Sequence, residues 1–505
     1  MPNRDSKWPV FEKRAQLKLA FIYKLSVKEP LGIAYLSSYI KTHISNVMIK
    51  FFDPKVDNLD AIKSFSPNII LYSCMSGQVR ENVFRNLYLK KVLSPFMSVF
   101  GGPHPTYFPE MIEEDGVDII CRGEGERSLG NLINAIQNGI DIYDIKGLWI
   151  KNGGVIYKNE IDVLIENLDD IPFPDRNLFY EKSPIFRGSI AKSVFTARGC
   201  PFRCTYCYNS SLNMLVKGKG KSPRFRSPSS VVKEVTQLKN QYPLPYILFG
   251  DDVFAGVNIE WLGEFADLYS SLNIPYNISI RAEFVKPEIV KYLKKSGCAS
   301  ATLAIEHGDY AYRKKYLDRH MSNERLVESV YLLESAGIRV ATPTMIGLPH
   351  TSFDDDIKTL ELVCKAKPTF AGTTIFQPYP GLPLTELCLN KKLIGESFAN
   401  QLNTDCYQPA HIKGIDYSRV SKLRRIFGIL RVAGYRYPDA LKTLYKIIPD
   451  NFFIYHLNNF INYIFFYRYY DYKRGVLSKA KEVFVGLDTG AFGVHLKWLG
   501  RSEKF

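Results

Sequence analysis

The sequence predicts an α/β protein with two successive units of alternating strands and helices, followed by a mostly helical region. Short apolar segments typical of buried strands alternate with helical patterns over most of the 505 residues. This alternation is typical of parallel sheets with crossover helices. The last hundred residues lack it and are rich in basic and aromatic residues. We therefore expect domains over residues 1–145 and 186–400, a linker over 146–185 and a helical region over 401–505.

The composition is that of a folded protein with surplus positive charge. Hydrophobic residues make up 46% and charged residues 23% of the chain, and the net charge is +15. The nine cysteines are scattered apart from one cluster, which excludes a disulfide scaffold. The first residues lack the apolar core of a signal peptide, and we expect a cytoplasmic protein without a spanning helix. The charge suits an acidic substrate, a nucleic acid or an anionic membrane surface.

The N-terminal domain should contain a doubly wound parallel sheet. Its strands are expected over residues 17–23, 47–52, 69–73, 98–100 and 118–121, with a helix over residues 31–40. Sheets of this kind bind ligands outside the carboxyl ends of their strands, where the strand order reverses. Loops over residues 73–76, 101–106 and 122–126 follow the last three strands, and Pro30-Leu-Gly32 opens the helix. Glycine in such loops lets the backbone approach a large flat ligand.

The second domain should be built from six β/α units. A small hairpin around Asn152-Gly153 and a proline-rich crossing over residues 169–176 precede it. Strands are expected over residues 193–197, 246–249, 276–280, 302–305, 344–346 and 374–376. A polar residue or a Gly/Pro signal follows each strand, and catalytic groups of β/α barrels lie at that rim. Six units predict an open barrel rather than a closed eight-fold one.

Three cysteines share one short loop between the first two of these strands. They are Cys200, Cys204 and Cys207, spaced by three and then two residues. Iron–sulfur cubes normally take four thiolates, so three would leave one iron open for an outside ligand, as catalytic zinc keeps an open position. A structural zinc site would need a fourth Cys or His at close spacing, and none follows within about ninety residues. The loop therefore favours a cluster with one open iron.

This loop, with Tyr206 just before the last cysteine, resembles the cluster loop of the radical S-adenosylmethionine (SAM) superfamily. The resemblance implies a [4Fe-4S] cluster on the three cysteines, whose open iron chelates the amino and carboxylate groups of SAM. It also implies SAM contacts from the strand ends, with Arg281 on the carboxylate and Glu306 on the ribose or amino group. The implied SAM-binding residues are Tyr206, Gly250, Asp251, Asp252, Arg281, Glu306, Gly347 and Pro349. Asp252 and Arg281 are alternatively plain ion-pair residues, and His350-Thr351 departs from the family's usual Gly-Glu.

The glycine loops of the first domain resemble the cobalamin-binding domain of B12-dependent radical SAM enzymes, which is Rossmann-like. The chain lacks the Asp-x-His-x-x-Gly motif whose histidine ligates cobalt in related domains, which fits the radical SAM branch. The implied cobalamin-binding residues are Gly32, Ser73, Met75, Ser76, Gly101, Gly102, His104, Pro105, Thr106, Gly123, Glu124, Gly125 and Glu126. His104 is expected to contact the corrin edge or the phosphate side of the ligand, or to be structural. A flavodoxin-like or response-regulator-like domain with incidental glycine loops is the alternative.

The C-terminal region and the remaining cysteines carry weaker signals. Residues 418–436 predict a basic amphipathic helix, and residues 451–474 are unusually aromatic. This region is either a helical cap on the barrel or a surface for a lipid, a bilayer interface or a flat apolar substrate. Cys298 is expected to be a buried small residue at the end of a helix. Cys364, Cys388 and Cys406 show no ligand spacing.

The resemblance implies a cobalamin-dependent radical SAM enzyme, with C-methyltransferase as the leading expectation. A 5′-deoxyadenosyl radical would abstract hydrogen from an unactivated carbon of a small-molecule or lipid-like substrate, and methylcobalamin would supply the methyl group. The alternatives are a cyclase or ring-rearranging enzyme without methyl transfer, a methylthiotransferase and a non-catalytic corrinoid-binding protein. A methylthiotransferase needs three further N-terminal cysteines, whereas this domain offers only Cys74 and Cys121.

Expected partners follow from this reading and from the C-terminal region. The enzyme would need an external electron donor of the flavodoxin or ferredoxin kind. Membrane-surface contact through residues 401–505 is an open alternative. Nucleic acid is not expected as a partner, because no recognition module of mixed aromatic and basic residues is recognisable.

Overall fold

The computed structural model describes residues 16–25, 29–93, 95–189, 191–254, 258–396, 398 and 408–470. The chain divides into two units. The first contains residues 1–189 and 212–226, and the second contains residues 190–211 and 227–505. The domain boundaries expected from the sequence, which differ in detail, stay predictions.

The first unit contains a seven-stranded sheet in the order β2-β1-β3-β4-β5-β6-β7. The strands are β1 (Leu17–Ile22), β2 (Val47–Phe52), β3 (Ile69–Ser73), β4 (Met97–Gly101), β5 (Ile119–Cys121), β6 (Leu148–Asn152) and β7 (Val155–Lys158). The first five pair in parallel, which confirms the predicted doubly wound sheet. From β1 the chain first adds β2 on one side and then adds β3 on the other. The strand order therefore reverses between β1 and β3, and sheets of this kind bind ligands at such a point.

Helices accompany this sheet, and the first four of them connect its parallel strands. They are α1 (Leu31–His43), α2 (Leu59–Phe65), α3 (Val79–Val92), α4 (Pro103–Tyr107), α5 (Gly125–Asn138), α6 (Asn177–Tyr180) and α7 (Pro184–Gly188). One core on the sheet contains Ile70, Phe100 and Ile120, all fully buried. Central strands such as β3 are apolar throughout because both faces of a parallel sheet are covered.

The predicted hairpin is present and extends this sheet. β6 pairs antiparallel with β5, and β7 pairs antiparallel with β6. Gly153 and Gly154 form the turn with φ angles of 56° and 81°. Two successive positive φ angles are what a type I′ hairpin turn requires. The hairpin, expected in a linker, is therefore part of the first unit's sheet.

The second unit contains a six-stranded parallel sheet in the order β15-β14-β13-β12-β11-β8. Its strands are β8 (Ala191–Val194), β11 (Tyr246–Phe249), β12 (Tyr276–Ser279), β13 (Cys298–Thr302), β14 (Arg339–Ile346) and β15 (Phe370–Ile375). The short strands β9 (Ala197–Arg198) and β10 (Arg224–Phe225) are not part of this sheet. Neighbouring strands of the sheet follow one another along the chain, and β8 and β15 are its two edges. This is the open order expected for six β/α units.

The helices around this sheet follow in chain order. They are α8 (Tyr208–Leu215), α9 (Pro228–Gln241), α10 (Ile259–Tyr269), α11 (Pro287–Lys295), α12 (Tyr310–Tyr316), α13 (Asn323–Ser335), α14 (Phe353–Ala366) and α15 (Pro383–Asn390). A large core contains apolar residues of the strands together with those of the helices packed on them, such as Ile278, Val330 and Leu360.

Three expected strands begin four or five residues earlier than the sequence suggested. β14 begins at Arg339 instead of residue 344, and β15 begins at Phe370 instead of residue 374. β13 covers Cys298–Thr302 instead of residues 302–305, so Cys298 opens a strand rather than ending a helix. The chain still pairs with β14 beyond Thr302, because the Leu303 N–H donates to the Ala341 carbonyl oxygen at 2.8 Å. Glu306 then takes a positive φ of 65°, which turns the chain out of the extended conformation. Cys298 is buried, as expected.

The C-terminal region is helical. It contains α16 (Tyr417–Gly434), α17 (Leu441–Ile447) and α18 (Phe452–Tyr470). Leu423, Ile426 and Leu430 of α16 lie in the large core of the second unit. Within the described ranges, no helix has the length and apolarity needed to cross a membrane. Cys406 and the part of the predicted aromatic stretch after Tyr470 lie outside the described residues.

Candidate functional site

The cysteine loop follows β8, at the carboxyl end of an edge strand. Cys200 and Cys204 are buried and Cys207 is half-buried. The Cys207 N–H donates to the Cys204 carbonyl oxygen at 3.0 Å, which makes the loop turn tightly. Burial raises the pKa of Cys207 to about 11, with smaller contributions from the Cys204 and Cys200 charges. The three thiols therefore lie close enough to influence one another.

This donor set fits a cube better than a single ion. Over the described part of the chain, no three His, Cys, Asp or Glu side chains converge as ligands of one metal ion. A four-iron cube presents a separate iron to each thiolate, so its cysteine sulfurs remain apart. Three thiolates leave one of the four irons for another ligand. Cys200, Cys204 and Cys207 are the residues that would hold the predicted [4Fe-4S] cluster.

Arg281 connects the end of β12 to the cysteine loop. Its Nη1 donates to the Cys204 sulfur at 3.1 Å, and its guanidinium lies 3.5 Å from the centre of the Phe202 ring. The same guanidinium forms a fork with Glu283, with Nε donating to Oε2 at 3.2 Å. The structure therefore brings Arg281 to the cluster loop, where Glu283 balances its charge. A carboxylate ligand would compete with Glu283 for this fork.

Asp251 holds the chain that enters the cysteine loop. Its Oδ1 accepts the N–H groups of Thr196 (2.8 Å) and Ala197 (2.9 Å), and its Oδ2 accepts the Thr196 hydroxyl at 2.7 Å. Burial raises the pKa of Asp251 to about 7, although these hydrogen bonds lower it. The carboxylate is thus committed to the loop backbone. Its predicted SAM contact stays a prediction, but its visible task is to position the loop.

The neighbours of Asp251 differ from it in exposure. Asp252 is exposed and accepts a long hydrogen bond from the Tyr208 hydroxyl at 3.4 Å. Gly250 donates its N–H to the Val194 carbonyl oxygen at 2.9 Å, which extends the pairing of β11 with β8. A Cβ at Gly250 would lie 2.8 Å from the Phe195 ring. This position therefore requires glycine, and its backbone stays accessible to a ligand.

Tyr206, Glu306 and Arg319 form a polar cluster beside the loop. The Tyr206 hydroxyl donates to Glu306 Oε1 at 2.8 Å, and Arg319 Nη1 donates to the Tyr206 oxygen at 3.2 Å. Arg319 also lies 3.7 Å from Glu306 Oε1. Burial and the nearby Glu306 charge raise the pKa of Tyr206 well above its usual value, so its hydroxyl stays protonated. The structure thus joins two predicted SAM residues through an arginine that the sequence did not indicate.

Gly347 and Pro349 follow β14 and meet different partners. The Gly347 N–H donates to Asp356 Oδ1 at 3.0 Å, and a Cβ at Gly347 would lie 3.2 Å from Val420. The Pro349 carbonyl oxygen accepts the Tyr312 hydroxyl at 2.7 Å. These contacts fix the loop after β14 in place. The predicted role of this loop at the adenine stays a prediction.

The loops after β3, β4 and β5 meet in the first unit. A Cβ on Gly102, which has a φ of 97°, would lie 3.0 Å from Cys74 N and 3.2 Å from Ser73 Oγ. His104 Nδ1 lies 3.1 Å from Ser76 Oγ. The Thr106 hydroxyl donates to the Gly102 carbonyl oxygen at 2.8 Å and accepts the Gly123 N–H at 3.1 Å. These loops thus form one surface at the carboxyl ends of the strands.

That surface fits a large flat ligand. Gly102 has no room for a side chain, so the loop backbone itself lines the surface. Gly101 ends β4, while Met75 and Ser76 are exposed and Pro105 is buried beneath them. Burial lowers the pKa of His104 to about 4, so its imidazole is neutral at physiological pH. The residues present are therefore compatible with the predicted cobalamin.

Other predicted cobalamin residues lie elsewhere or serve packing. Glu124 accepts hydrogen bonds from Arg224 at 2.8 Å and 3.0 Å and from the Ile165 N–H at 2.9 Å, so its carboxylate is already engaged within the first unit. A Cβ on Gly125 would lie 3.1 Å from Leu36, which indicates close helix packing. Glu126 is buried in α5, and Gly32 is exposed at the start of α1. Their cobalamin contacts stay predictions.

Several residues of the site could not be predicted from the sequence. Phe202 lies inside the cysteine motif, but the motif does not indicate that its ring packs against Arg281. Glu283 lies only two residues after Arg281. An acidic residue so close to a predicted anion-binding arginine was a signal that the two could pair. Arg319 follows no strand end and carries no motif.

Two family models match the chain. The model described as the radical SAM superfamily matches residues 194–363, and the model described as the B12 binding domain matches residues 25–133. The first range contains all three cysteines of the loop and the predicted SAM residues from Gly250 to Pro349. The second contains the glycine loops of the first unit.

Known proteins resemble the chain along most of its length. An uncharacterized methyltransferase of Pyrococcus horikoshii is 27% identical over 378 residues, which cover 72% of this chain and 79% of that protein. The anaerobic magnesium-protoporphyrin IX monomethyl ester cyclase of Cereibacter sphaeroides is 24% identical over 374 residues, covering 70% of this chain and 59% of that protein. The radical SAM methyltransferase TsrM from Kitasatospora setae, solved with cobalamin and a [4Fe-4S] cluster, matches the fold with a TM-score of 0.61 at 16% identity, covering 75% of this chain and 76% of that one.

The chain belongs to the radical SAM superfamily, in the branch whose members also carry a B12-binding domain. It is a radical SAM enzyme whose cofactors are a [4Fe-4S] cluster, SAM and cobalamin. The alternative of a flavodoxin-like or response-regulator-like first domain is thereby excluded.

Proposed function

We propose that this enzyme transfers a methyl group to an unactivated carbon of a small-molecule or lipid-like substrate. The observation that carries the proposal is the cysteine loop beside Arg281, within the same chain as the glycine loops of the first unit. When bound, the cluster and SAM supply a 5′-deoxyadenosyl radical for hydrogen abstraction, and cobalamin supplies the methyl group.

In this proposal, the residues of the second unit hold and orient SAM. Arg281 binds the SAM carboxylate by exchanging its fork with Glu283 for one with the ligand, a task that suits a planar guanidinium. Glu306 accepts a hydrogen bond from the ribose or the amino group, and Arg319 and Tyr206 fix its orientation. Asp251 holds the backbone at the start of the cysteine loop. Each residue places a group and excludes water without itself entering the chemistry.

The residues of the first unit bind cobalamin mainly through backbone. Gly101, Gly102 and Gly123 let the chain lie against the corrin, while Ser73, Ser76 and Thr106 supply hydroxyl groups. His104 is neutral and is already engaged with Ser76, so we assign it to the corrin edge. The axial ligand is a main control on the chemistry of a metal cofactor, and this chain lacks the usual histidine motif for that position.

A cyclase without methyl transfer is the second candidate. The similarity to the magnesium-protoporphyrin ester cyclase, which covers 70% of this chain, favours it. The two candidates differ in the fate of SAM. A methyltransferase consumes a second SAM to replace the methyl group and releases S-adenosylhomocysteine, whereas a cyclase releases none.

The proposal includes partners and a location. Radical formation consumes an electron, which we assign to an external donor of the flavodoxin or ferredoxin kind. The substrate is a small organic molecule, and the enzyme acts in the cytoplasm or at a membrane surface facing it. The positive charge of the chain suits an acidic substrate or an anionic surface.

The test is anaerobic purification with hydroxocobalamin, followed by absorption spectra, iron and cobalt analysis and a SAM turnover assay. We expect one four-iron cluster and one cobalamin per chain, with both 5′-deoxyadenosine and S-adenosylhomocysteine formed under reducing conditions. Cys204→Ala should lose the cluster absorption and at least about 100-fold of 5′-deoxyadenosine formation, since the cluster loses a ligand. Cys298→Ala, which removes a buried cysteine outside the loop, should retain both.

Two results would contradict the proposal. Persistent 5′-deoxyadenosine formation by Cys204→Ala would overturn the cluster assignment. Formation of 5′-deoxyadenosine by the wild type without any S-adenosylhomocysteine would overturn methyl transfer in favour of the cyclase.

A further inference from the structure

The last helix of the described chain packs one side on the second unit through both asparagine and aromatic side chains, the latter including Phe465 and Phe466. Asn458 of α18 is 3% exposed, and its Oδ1 accepts the N–H groups of Gly428 (2.7 Å) and Ile429 (3.2 Å) in α16. A Cβ on Gly428 would lie 2.3 Å from Asn462 Oδ1, so the two helices approach closely along this face. The buried Tyr469 hydroxyl accepts a hydrogen bond from Asn277 at 2.6 Å. The inner face of α18 is therefore occupied by the second unit itself.

The outer face of the same helix is apolar. Phe453, Leu457, Phe460 and Ile464 are 80%, 46%, 60% and 40% exposed. Their spacing of four, three and four residues places them along one side of the helix, and we call these four residues the apolar stripe. Surface helices normally turn polar residues outward, so this exposed apolar side is unusual. A contiguous exposed apolar surface indicates an interaction site.

The C-terminal region that carries the apolar stripe is basic. Residues 408–470 contain ten Lys and Arg, three Asp and no Glu, and residues 451–470 contain no acidic residue. Lys446 in α17 and Arg468 near the end of α18 are exposed. Asp450, the acidic residue nearest to α18 in the chain, is paired with Arg425. This part of the surface is therefore complementary to a negatively charged partner.

We propose that the apolar stripe docks the protein onto an anionic lipid bilayer, with α18 lying parallel to the membrane surface. Helices of this kind combine an apolar face rich in Phe and Leu with neighbouring basic residues, and they enter only the boundary between headgroups and acyl chains. Phe453 and Phe460 insert at that boundary, while Lys446 and Arg468 meet lipid phosphates. Asn458 and Asn462 remain on the protein side. The proposal concerns a partner surface and does not depend on the reaction catalysed.

Vesicle flotation of the full chain tests this proposal. We expect the wild type to float with vesicles of phosphatidylcholine mixed with phosphatidylglycerol, and to float less with phosphatidylcholine alone. The double variant Phe453→Glu/Phe460→Glu should bind the mixed vesicles at least about tenfold less, because two charges would enter the apolar boundary. The control Phe84→Glu removes a phenylalanine of similar exposure, 75%, from α3 in the first unit and should float like the wild type.

Far-ultraviolet circular dichroism and cofactor content will show that the variants are folded. A wild type that stays unbound with mixed vesicles would overturn the proposal, as would flotation of the double variant equal to that of the wild type. Light scattering tests the alternative that the apolar stripe binds a second copy of this chain. A wild-type dimer that the double variant loses, together with absent flotation, would assign the stripe to self-association. Radical formation from SAM is measured without vesicles, so either proposal can fail while the other stands.

Discussion

At the scale of single residues, Arg281 is the side chain that binds several partners at the cysteine loop at once. Its guanidinium contacts the predicted cluster ligand Cys204, an aromatic ring and a carboxylate at the same time. The sequence could place it just after a strand, and the resemblance could suggest an anionic partner. The sequence could not show that Glu283 pairs with Arg281 in the absence of ligand. The position of a residue in the chain does not reveal which side chains it already binds.

Arg281→Lys tests the predicted carboxylate contact. Lysine keeps the charge but loses the two parallel hydrogen bonds, so we expect SAM to bind about 10- to 100-fold more weakly, the equivalent of roughly 1.5–3 kcal/mol. Equilibrium binding of SAM to the variant with its cluster intact is the measurement. Arg325→Lys, on α13, offers the same chemical change away from the loop and should leave the affinity unchanged. Equal affinity for both variants would remove Arg281 from the SAM site.

Gly102→Ala tests the glycine surface of the first unit. The added Cβ would lie about 3 Å from the Cys74 backbone, and we expect the affinity for hydroxocobalamin to fall roughly tenfold as the loop shifts. Gly154→Ala is a matched control, because its φ of 81° imposes similar backbone strain while nothing lies within 4 Å of the new Cβ. Titration of both variants followed by absorption spectroscopy measures the difference. If Gly102→Ala binds as tightly as Gly154→Ala, the loop does not line the cofactor.

At the scale of secondary-structure elements, strands were predicted well where an apolar run ends at polar residues. Ile69–Ser73 and Tyr246–Phe249 have the bounds expected from the sequence. β13 was displaced because Cys298-Ala-Ser-Ala-Thr302 consists of small residues, whereas the more strand-like Leu303-Ala-Ile305 lies beyond it. Contacts between residues of separate elements, such as the hydrogen bond from Arg319 to Tyr206, could not be predicted. The sequence does not show which elements pack against each other.

The loop after β14 and the helix α14 are joined by a buried carboxylate whose charge depends on pH. Asp356 is fully buried, its Oδ1 accepts the Gly347 N–H, and burial raises its pKa to about 7. The folded protein thus holds this proton more tightly than the unfolded chain, in which the pKa is about 4. The resulting stabilisation is complete below pH 4 and is lost as the pH rises through about 7.

Asp356→Asn should therefore stabilise the protein at alkaline pH. The amide still accepts the Gly347 N–H and cannot ionise, so we expect a gain of about 1 kcal/mol or more at pH 8, or roughly 2–4 °C in Tm, that shrinks towards pH 5. Thermal unfolding from pH 5 to pH 8 measures it. Buried Asp251, also with a pKa of about 7, leaves a residual trend of the same sign. If the stability gain of Asp356→Asn did not change with pH, the raised pKa of Asp356 would be refuted.

The adjacent carboxylate provides a control of opposite sign. Partial burial acts to raise the pKa of Asp355, but hydrogen bonds from Lys358 and Ser352 outweigh it and lower this pKa to about 2. Its ionised form therefore stabilises the folded protein above pH 4, and this contribution is lost as the pH falls through about 2. Asp355→Asn should lower Tm at pH 7 and should do so less as the pH approaches 3.

At the scale of the whole molecule, the two sets of predicted cofactor residues belong to different units. The cysteine loop lies within residues 190–211, whereas the glycine loops lie within residues 1–189. A variant in one unit should therefore impair the binding of one cofactor and leave the other unaffected. Cys204→Ala should still bind one cobalamin per chain, and Gly102→Ala should keep its four-iron cluster.

The hairpin β6-β7 also has a consequence for the behaviour of newly made chains. An open edge strand offers its free N–H and C=O groups to any other extended chain, which promotes aggregation. The hairpin moves the edge of the first sheet away from β5 to β7, which is four residues long, largely exposed and ends in Lys158. The opposite edge, β2, exposes Lys50. A lysine on an edge strand resists pairing with another sheet because its charge would lose water, so both margins of this sheet discourage edge-to-edge association.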